Sequence, residues 1–322
     1  MTHALRLSIV VCTYNRAHSL ALTLAALDAQ ETPPELGWDL LVVDNNSTDE
    51  SRAVIDAFLR TAKITARSIF VAPQGLSHAR NAAIVASRAE IVAFTDDDVT
   101  PAPDWVARMA AAMNGRRADV LGGRILPLWS HSPPEWLTDQ SFHGMLTIMD
   151  HPGRVDVIDA HRQPCVWGAN MALRRKVFDA VGLFDTRRGL QGARRYGGED
   201  TELVRRALAA GYRVVYDPSV LVWHRIGRER MRLRYVSQVA FQRAEGERRV
   251  RPHTRGVSVL GIPLVLYRSL AKQVARWLTA LTMRRSDTVQ RWLDCCRCAG
   301  AMWGARRQRL DEAADHQIST AR

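Results

Sequence analysis

Three consecutive carboxylates, Asp96, Asp97 and Asp98, follow the apolar run Glu90 to Phe94 (EIVAF). Carboxylates this close repel one another unless a cation neutralises them. A divalent ion is the natural partner. Mg²⁺ or Mn²⁺ takes oxygen ligands, commonly one or two carboxylates plus the phosphates of a substrate, so the run points to a metal bridging protein and a nucleoside diphosphate. A solvated acidic turn ahead of Pro101 and Pro103 is the alternative reading. Two more polar clusters end apolar runs: Thr13, Tyr14, Asn15 and Arg16 after LRLSIVVC, and Asp44, Asn45, Asn46 and Ser47 after DLLVV. An acidic pair, Glu199 and Asp200 in GGED, and His224 at the end of VLVWH complete the candidates.

The elements that must carry these residues are legible from their periodicity. Leu5 to Cys12, Asp39 to Val43, Ile64 to Val71 and Glu90 to Phe94 are near-continuous apolar runs of strand length. Between them lie helical patterns: Leu20, Leu24 and Leu27; then Val54, Ile55, Phe58 and Leu59, with Ser47 and Glu50 fitting a capping box; then Leu76 to Ser87. Buried strands alternating with amphipathic helices predict an α/β fold, a mostly parallel sheet covered on both faces. Ligands bind at the carboxyl ends of such strands, which is where the polar clusters fall.

Composition narrows the function classes. The 322 residues are 47% hydrophobic and 24% charged, enough for a core, and no fixed-period repeat is present. No GxGxxG follows the first strand and no GxxxxGK[ST] occurs, against a dinucleotide enzyme and a P-loop ATPase. Five cysteines without a spaced framework, and an N-terminus without a cleavable apolar stretch, predict a reducing, cytoplasmic compartment. Cys295, Cys296 and Cys298 offer three thiols and no paired knuckle; small apolar residues on a helix account for them.

Taken together, SIVVCTYNR (8 to 16), LLVVDNNSTD (40 to 49), GLSHARNAAI (75 to 84), AEIVAFTDDDVTPAPDW (89 to 105), GANMALRRKVFDAVGLFD (168 to 185), GGEDTELVRRALAAGYRVVY (197 to 216) and VWH (222 to 224) resemble a family 2 glycosyltransferase with the GT-A fold. The resemblance covers roughly residues 5 to 225 in the family's order and spacing. It implies a catalytic domain over 1–225, a GT-A type Rossmann-like sheet, and transfer of a sugar from a nucleoside-diphosphate donor, UDP-linked, to a hydroxyl acceptor with inversion.

By the same resemblance, Thr13, Tyr14, Asn15, Arg16, Asp44, Asn45, Arg80 and Asn81 belong to the nucleotide side, with Asp96 facing the ribose and Asp97 supporting it. Asn45 stands where some relatives have an acid, which leaves the base identity open. Asp98 takes the metal, with His224 as a further metal or diphosphate contact, although a lone histidine at a strand end also serves structural ends. Gly168 and Asn170 line the donor sugar. Asp200 matches the family's catalytic base, and Glu199 is placed to orient it or to bind acceptor. Such a base is needed because a sugar hydroxyl is a poor nucleophile at neutral pH. Acids at the start of a helix also favour its dipole, a role compatible with catalysis. A nucleotidyltransferase that makes a nucleotide sugar and a non-catalytic nucleotide-sugar-binding protein are the alternative readings.

Charge divides the chain. Residues 1 to 200 hold 21 Lys and Arg against 23 Asp and Glu, whereas 201 to 322 hold 24 against 10. Residues 226–322 therefore read as a basic helical region facing an anionic surface. Tyr267, Leu270, Ala271, Val274, Trp277, Leu278 and Leu281 fall at helical spacing, while Arg268, Lys272 and Arg276 interrupt any spanning stretch. The pattern predicts peripheral attachment at the cytoplasmic membrane face, where a lipid-linked or growing surface glycan would be the acceptor. Nucleic acid is the weaker use of the charge, since no reader motif accompanies it.

Overall fold

The computed structural model describes residues 7–153, 155–159, 166–191, 194–250 and 257–320, with backbone only for 191, 194–195 and 311–320. Cys165 and the part of the basic run at 251–256 lie outside these. In chain order the elements are β1 (Leu7–Thr13), α1 (Ala17–Asp28), β2 (Trp38–Asp44), α2 (Ser51–Thr61), β3 (Ala66–Phe70), α3 (Leu76–Ala86), β4 (Ile91–Asp96), β5 (Val99–Pro101), α4 (Trp105–Gly115), β6 (Val120–Trp129), β7 (Asp156–Ile158), β8 (Asn170–Arg174), α5 (Arg175–Val181), β9 (Leu190–Gln191), β10 (Arg194–Arg195), α6 (Glu199–Ala209) and β11 (Val214–Ile226). They are followed by α7 (Leu233–Val250), β12 (Ser258–Val259), β13 (Ile262–Pro263), α8 (Leu264–Thr282) and α9 (Thr288–Thr320).

Two compact units form. The first takes the chain up to Ser130, Thr147–Thr186 and Glu199–Ile226; the second takes His131–Leu146, Arg187–Gly198 and Gly227–Arg322. In the first unit the strand order is β3-β2-β1-β4-β8-β6-β11-β5, with β7 also on β11. The pairs β1 with β2, β2 with β3 and β1 with β4 are parallel, as the apolar runs predict, and β6 with β11 is parallel as well. Strand β8 runs against both neighbours, and β5 and β7 run against β11. The core is contributed by these strands and by one face of each helix: Leu20, Leu24 and Leu27 of α1, Ile55 of α2, Trp105 and Met109 of α4, and Leu203 and Val204 of α6 are buried.

One local expectation is corrected. Ser47 and Glu50 form no capping box: α2 begins at Ser51, and Glu50 makes no side-chain cap bond. The Ser47 hydroxyl accepts instead from the Asn15 backbone N–H at 3.1 Å, tying the ends of β1 and β2 together.

The second unit rests on a close helix crossing. A methyl group on Gly300 of α9 would lie 2.1 Å from the Phe241 carbonyl oxygen of α7, and one on Gly304 would lie 2.4 Å from that of Glu245. The two contacts ascend both sequences together, so α7 and α9 run in the same sense where they touch. Helix α8 packs on α9 through Trp277 and Trp292, whose ring centroids are 5.1 Å apart. Among the described residues no helix is long and apolar enough to cross a membrane.

Candidate active site at the carboxyl edge of the sheet

Register alone assembles most of the site. Thr13 stands opposite Asp44, and Cys12 opposite Asp96, so the polar ends of β1, β2 and β4 share one edge. The antiparallel pairing of β11 with β5 sets His224 opposite Val99, one residue beyond Asp98. The pairing of β4 with β8 sets Asn170 opposite Thr95.

Asp97 and Asp98 are buried. The Thr13 hydroxyl donates to Asp97 Oδ2 at 2.7 Å. Arg16 Nη1 donates to Asp97 Oδ1 at 3.0 Å and to Asp98 Oδ2 at 2.6 Å. The Arg16 side chain therefore stands on the acids, and these charges keep its guanidinium protonated against the cost of burial. Burial pushes the Asp97 carboxyl up to about 6, with Arg16 opposing that rise. His224 Nε2 lies 3.4 Å from Asp98 Oδ2. Beneath this turn Arg225, which the sequence reading did not single out, donates to the Asp97 and Val99 carbonyls and to the Thr23 hydroxyl. It fixes the backbone that presents the acids.

Among the described residues no group of three or more His, Cys, Asp or Glu is set to hold an ion. Asp98 and His224 supply one hard oxygen and one imidazole nitrogen on one side of a buried acidic turn. The carboxylate suits Mg²⁺ or Mn²⁺, which characteristically completes its shell with waters and substrate phosphates, with the imidazole as a softer contact beside it.

The second cluster centres on Arg80 of α3. It is buried, donates from Nη1 to Glu199 Oε1 at 2.8 Å, and reaches Asp96 Oδ1 from Nη2 at 3.4 Å. Its guanidinium carbon lies 5.6 Å from the Phe94 ring centroid and 5.5 Å from that of Phe184. Asn81, next in the helix, exchanges two 2.9 Å bonds with the Phe184 backbone and so fixes that ring. A methyl group on Gly168 would lie 2.1 Å from Arg80 Nη2, which explains the glycine there. Burial and the neighbouring Asp200 charge push Glu199 up to about 7 although Arg80 opposes both. Glu199 Oε2 is buried with no hydrogen-bond partner among the described residues. Asp200 is half-buried; its Oδ2 accepts from the Gly168 N–H at 2.9 Å and its Oδ1 from the Thr201 N–H at 2.6 Å. Gly197 and Gly198, just before, both have positive φ, +66° and +80°, which favours glycine at each position.

Several residues expected on the nucleotide side have other work in the fold. Asn170 is fully buried: its Oδ1 accepts from Trp105 Nε1 at 2.9 Å and its Nδ2 donates to the Arg124 and Val220 carbonyls. With its amide committed on every side it braces the sheet and has no polar atom left to line a sugar. Asn45 is likewise committed, donating to the Val71 and Pro73 carbonyls and accepting from the Gly75 N–H, so it shapes the loop into α3. Asn15 is exposed at φ +51° and accepts from Thr48. Tyr14 is half-buried beside it, and buried Asp44 accepts from the Ser47 N–H at 2.9 Å. Burial pushes the Cys12 thiol up to about 12, leaving it un-ionised at neutral pH.

Known proteins resemble the chain in sequence and in fold. Over 238 residues the chain is 26% identical to the succinoglycan biosynthesis protein ExoM of Rhizobium meliloti, covering 74% of this chain and 72% of that one. It is also 26% identical over 226 residues to the glucosyl-dolichyl phosphate glucuronosyltransferase of Haloferax volcanii, 69% of this chain and 70% of that one. Among solved structures, the mannosyltransferase PcManGT of Pyrobaculum calidifontis, in complex with GDP-Man and Mn²⁺, matches with a TM-score of 0.56 at 17% identity over 99% of this chain and 80% of that one. S. aureus TarS 1-349 in complex with UDP-GlcNAc matches with a TM-score of 0.53 at 16% identity, over 75% and 66%. These two share the GT-A fold. The model of glycosyl transferase family 2 matches residues 8–182, more than half the chain, and the protein belongs to that family.

Proposed function

We propose that the protein is an inverting, metal-dependent glycosyltransferase that moves a sugar from a nucleoside-diphosphate donor, UDP-linked, to a hydroxyl of a saccharide or lipid-linked acceptor. The observation that carries this reading is the meeting of two acidic clusters at one sheet edge: the Asp96 to Asp98 turn with His224, and Glu199 and Asp200 with Arg80 between them and Asp96. The first suits a nucleoside diphosphate and the second suits deprotonation of a hydroxyl. Thr13, Tyr14, Asn15, Arg16 and Asp44 would bound the nucleotide.

In this mechanism Asp200 takes the proton of the acceptor hydroxyl as its oxygen bonds to the anomeric carbon, and the bond to the diphosphate breaks on the opposite face. The Gly168 and Thr201 N–H groups hold the Asp200 carboxylate in place for that transfer. Glu199, anchored on Arg80, adjoins Asp200 and would orient it or bind the acceptor. A divalent ion at Asp98 and His224 would supply positive charge for the departing diphosphate.

The relatives' names support a wider setting in polysaccharide or glycolipid synthesis; a place at the cytoplasmic face of an anionic membrane rests on the C-terminal charge alone. The test is release of nucleoside diphosphate on screening UDP- and GDP-sugars with saccharide and lipid-linked acceptors. In Asp200→Asn, donor binding should persist while turnover falls roughly 10²-fold or more, as for loss of a general base. Comparable turnover in the folded variant would refute the assignment of the base, and release of pyrophosphate would indicate nucleotidyl transfer.

A further inference from the structure

The apolar stripe that the sequence reading assigned to α8 is partly spent inside the second unit. Trp277 packs on Trp292, Ala280 is buried, and the Ser269 hydroxyl lies 3.4 Å from Cys298 Sγ. A denser exposed apolar surface lies just ahead of the helix. Strands β12 and β13 form a tight hairpin closed by Leu260 and Gly261, at φ +50° and +81°. Asn-Gly is the favoured pair for positive φ at both central positions, yet a leucine stands first and is 77% exposed. Val257 is 71% exposed and Val265, in the first turn of α8, 61%.

The hairpin is held from its other side. Ile262 and Pro263 are buried, Arg309 of α9 donates to the Ser258 hydroxyl at 3.0 Å, and Tyr267 Oη donates to the Val259 carbonyl at 3.2 Å. It is therefore a fixed projection with apolar side chains at its tip. Scattered exposed aliphatics are ordinary, but three of the nine residues from 257 to 265 are more than half exposed, in one continuous segment. Along the segment itself the charge has one sign. From Arg248 to Ser286 the chain has nine Lys or Arg and no Asp or Glu. Arg268, Lys272 and Arg276, four residues apart and all exposed, line one face of α8.

We infer that the β12–β13 hairpin and the first turn of α8 form an apolar wedge that inserts into the headgroup region of an anionic bilayer, with Arg268, Lys272 and Arg276 on the lipid phosphates. The inference rests on the membrane reading of the C-terminal charge given above, and names the element that inserts. A second copy of the chain fits this surface less well, because self-association would bring two all-cationic segments together. A bilayer offers both a hydrocarbon boundary for the tip and negative charge for the flank.

The test is co-sedimentation of the full chain with phosphatidylcholine vesicles and with vesicles containing phosphatidylglycerol. Leu260→Asn, which suits the turn and so leaves the fold intact, combined with Val265→Gln should lower partitioning onto the anionic vesicles about ten-fold or more. Val85→Ser, which alters an equally exposed aliphatic of α3 (76%), should leave it unchanged. If the wild type binds anionic vesicles and the double variant binds equally, the wedge is refuted while the membrane reading stands. If the wild type binds neither vesicle, both fall. An equal loss in Val85→Ser, or a wild-type dimer in solution that Leu260→Asn dissociates, also overturns the wedge.

Discussion

Replacing Arg80 by Met keeps much of the side-chain volume and removes the charge. Arg80 is 3% exposed, so water cannot stand in for what is lost. Its principal bond is to Glu199 at 2.8 Å; the contact with Asp96 is longer, at 3.4 Å, and that carboxylate is partly solvated. Breaking a buried pair by removing one partner costs about 3–5 kcal/mol, and the two aromatic faces add roughly 0.5–1 kcal/mol each. The stranded carboxyl has one escape: Glu199, already at about 7 with its counter-charge in place, rises further and takes a proton. That relief grows as pH falls. We therefore expect Arg80→Met to lose about 3–5 kcal/mol in urea denaturation at pH 8 and clearly less at pH 6. In the double variant with Glu199→Gln, the penalty should fall short of the sum of the two single losses by about 0.5–3 kcal/mol. A loss below about 1 kcal/mol at pH 8, or equal losses at the two pH values, would show that the pair does not hold the site as argued.

Two further outcomes follow from the same geometry. Asp98→Asn removes a charged oxygen from the proposed metal site, so metal-dependent donor binding by calorimetry should weaken while the melting temperature in metal-free buffer stays within a few degrees or rises; unchanged metal dependence would exclude Asp98 as a ligand. Glu199 has a folded-state pKa raised from 4.5 to about 7, so its contribution to stability is complete below about pH 4.5 and is lost as pH rises through 7. Glu199→Gln should therefore lack that part of the decline in urea midpoint with pH, and an identical slope in wild type and variant would contradict it.

The parallel half of the sheet was readable because each buried strand is a local apolar run, and its polar end follows in the next residues. The acidic turn, GGED and VWH were readable as clusters for the same reason. What periodicity could not supply was pairing between distant segments. Strand β8 looks like any apolar run, and only its insertion between β4 and β6 makes it antiparallel to both. Asn170 and Asn45 carry the same amide whether they face a ligand or close a backbone gap, and here partners 26 to 65 residues away consume it. Arg16 follows TYN as a nucleotide-side residue would, yet its side chain reaches acids 81 and 82 positions on. Ser47 illustrates the opposite failure, a local capping pattern that forms no cap because the hydroxyl is taken by a backbone N–H 32 residues earlier.

The crossing of α7 and α9 carries a mechanical consequence. Because Gly300 and Gly304 bring backbone against backbone, sliding α9 by one turn along α7 would set Cys296 or Gln308 where a single methyl already collides. Shear between these two helices is thus blocked in both directions, whereas side-chain-mediated crossings can slip by changing rotamers. Displacement of α9 must carry α7 with it, and the pair should lose amide protection together in hydrogen exchange, as one cooperative block.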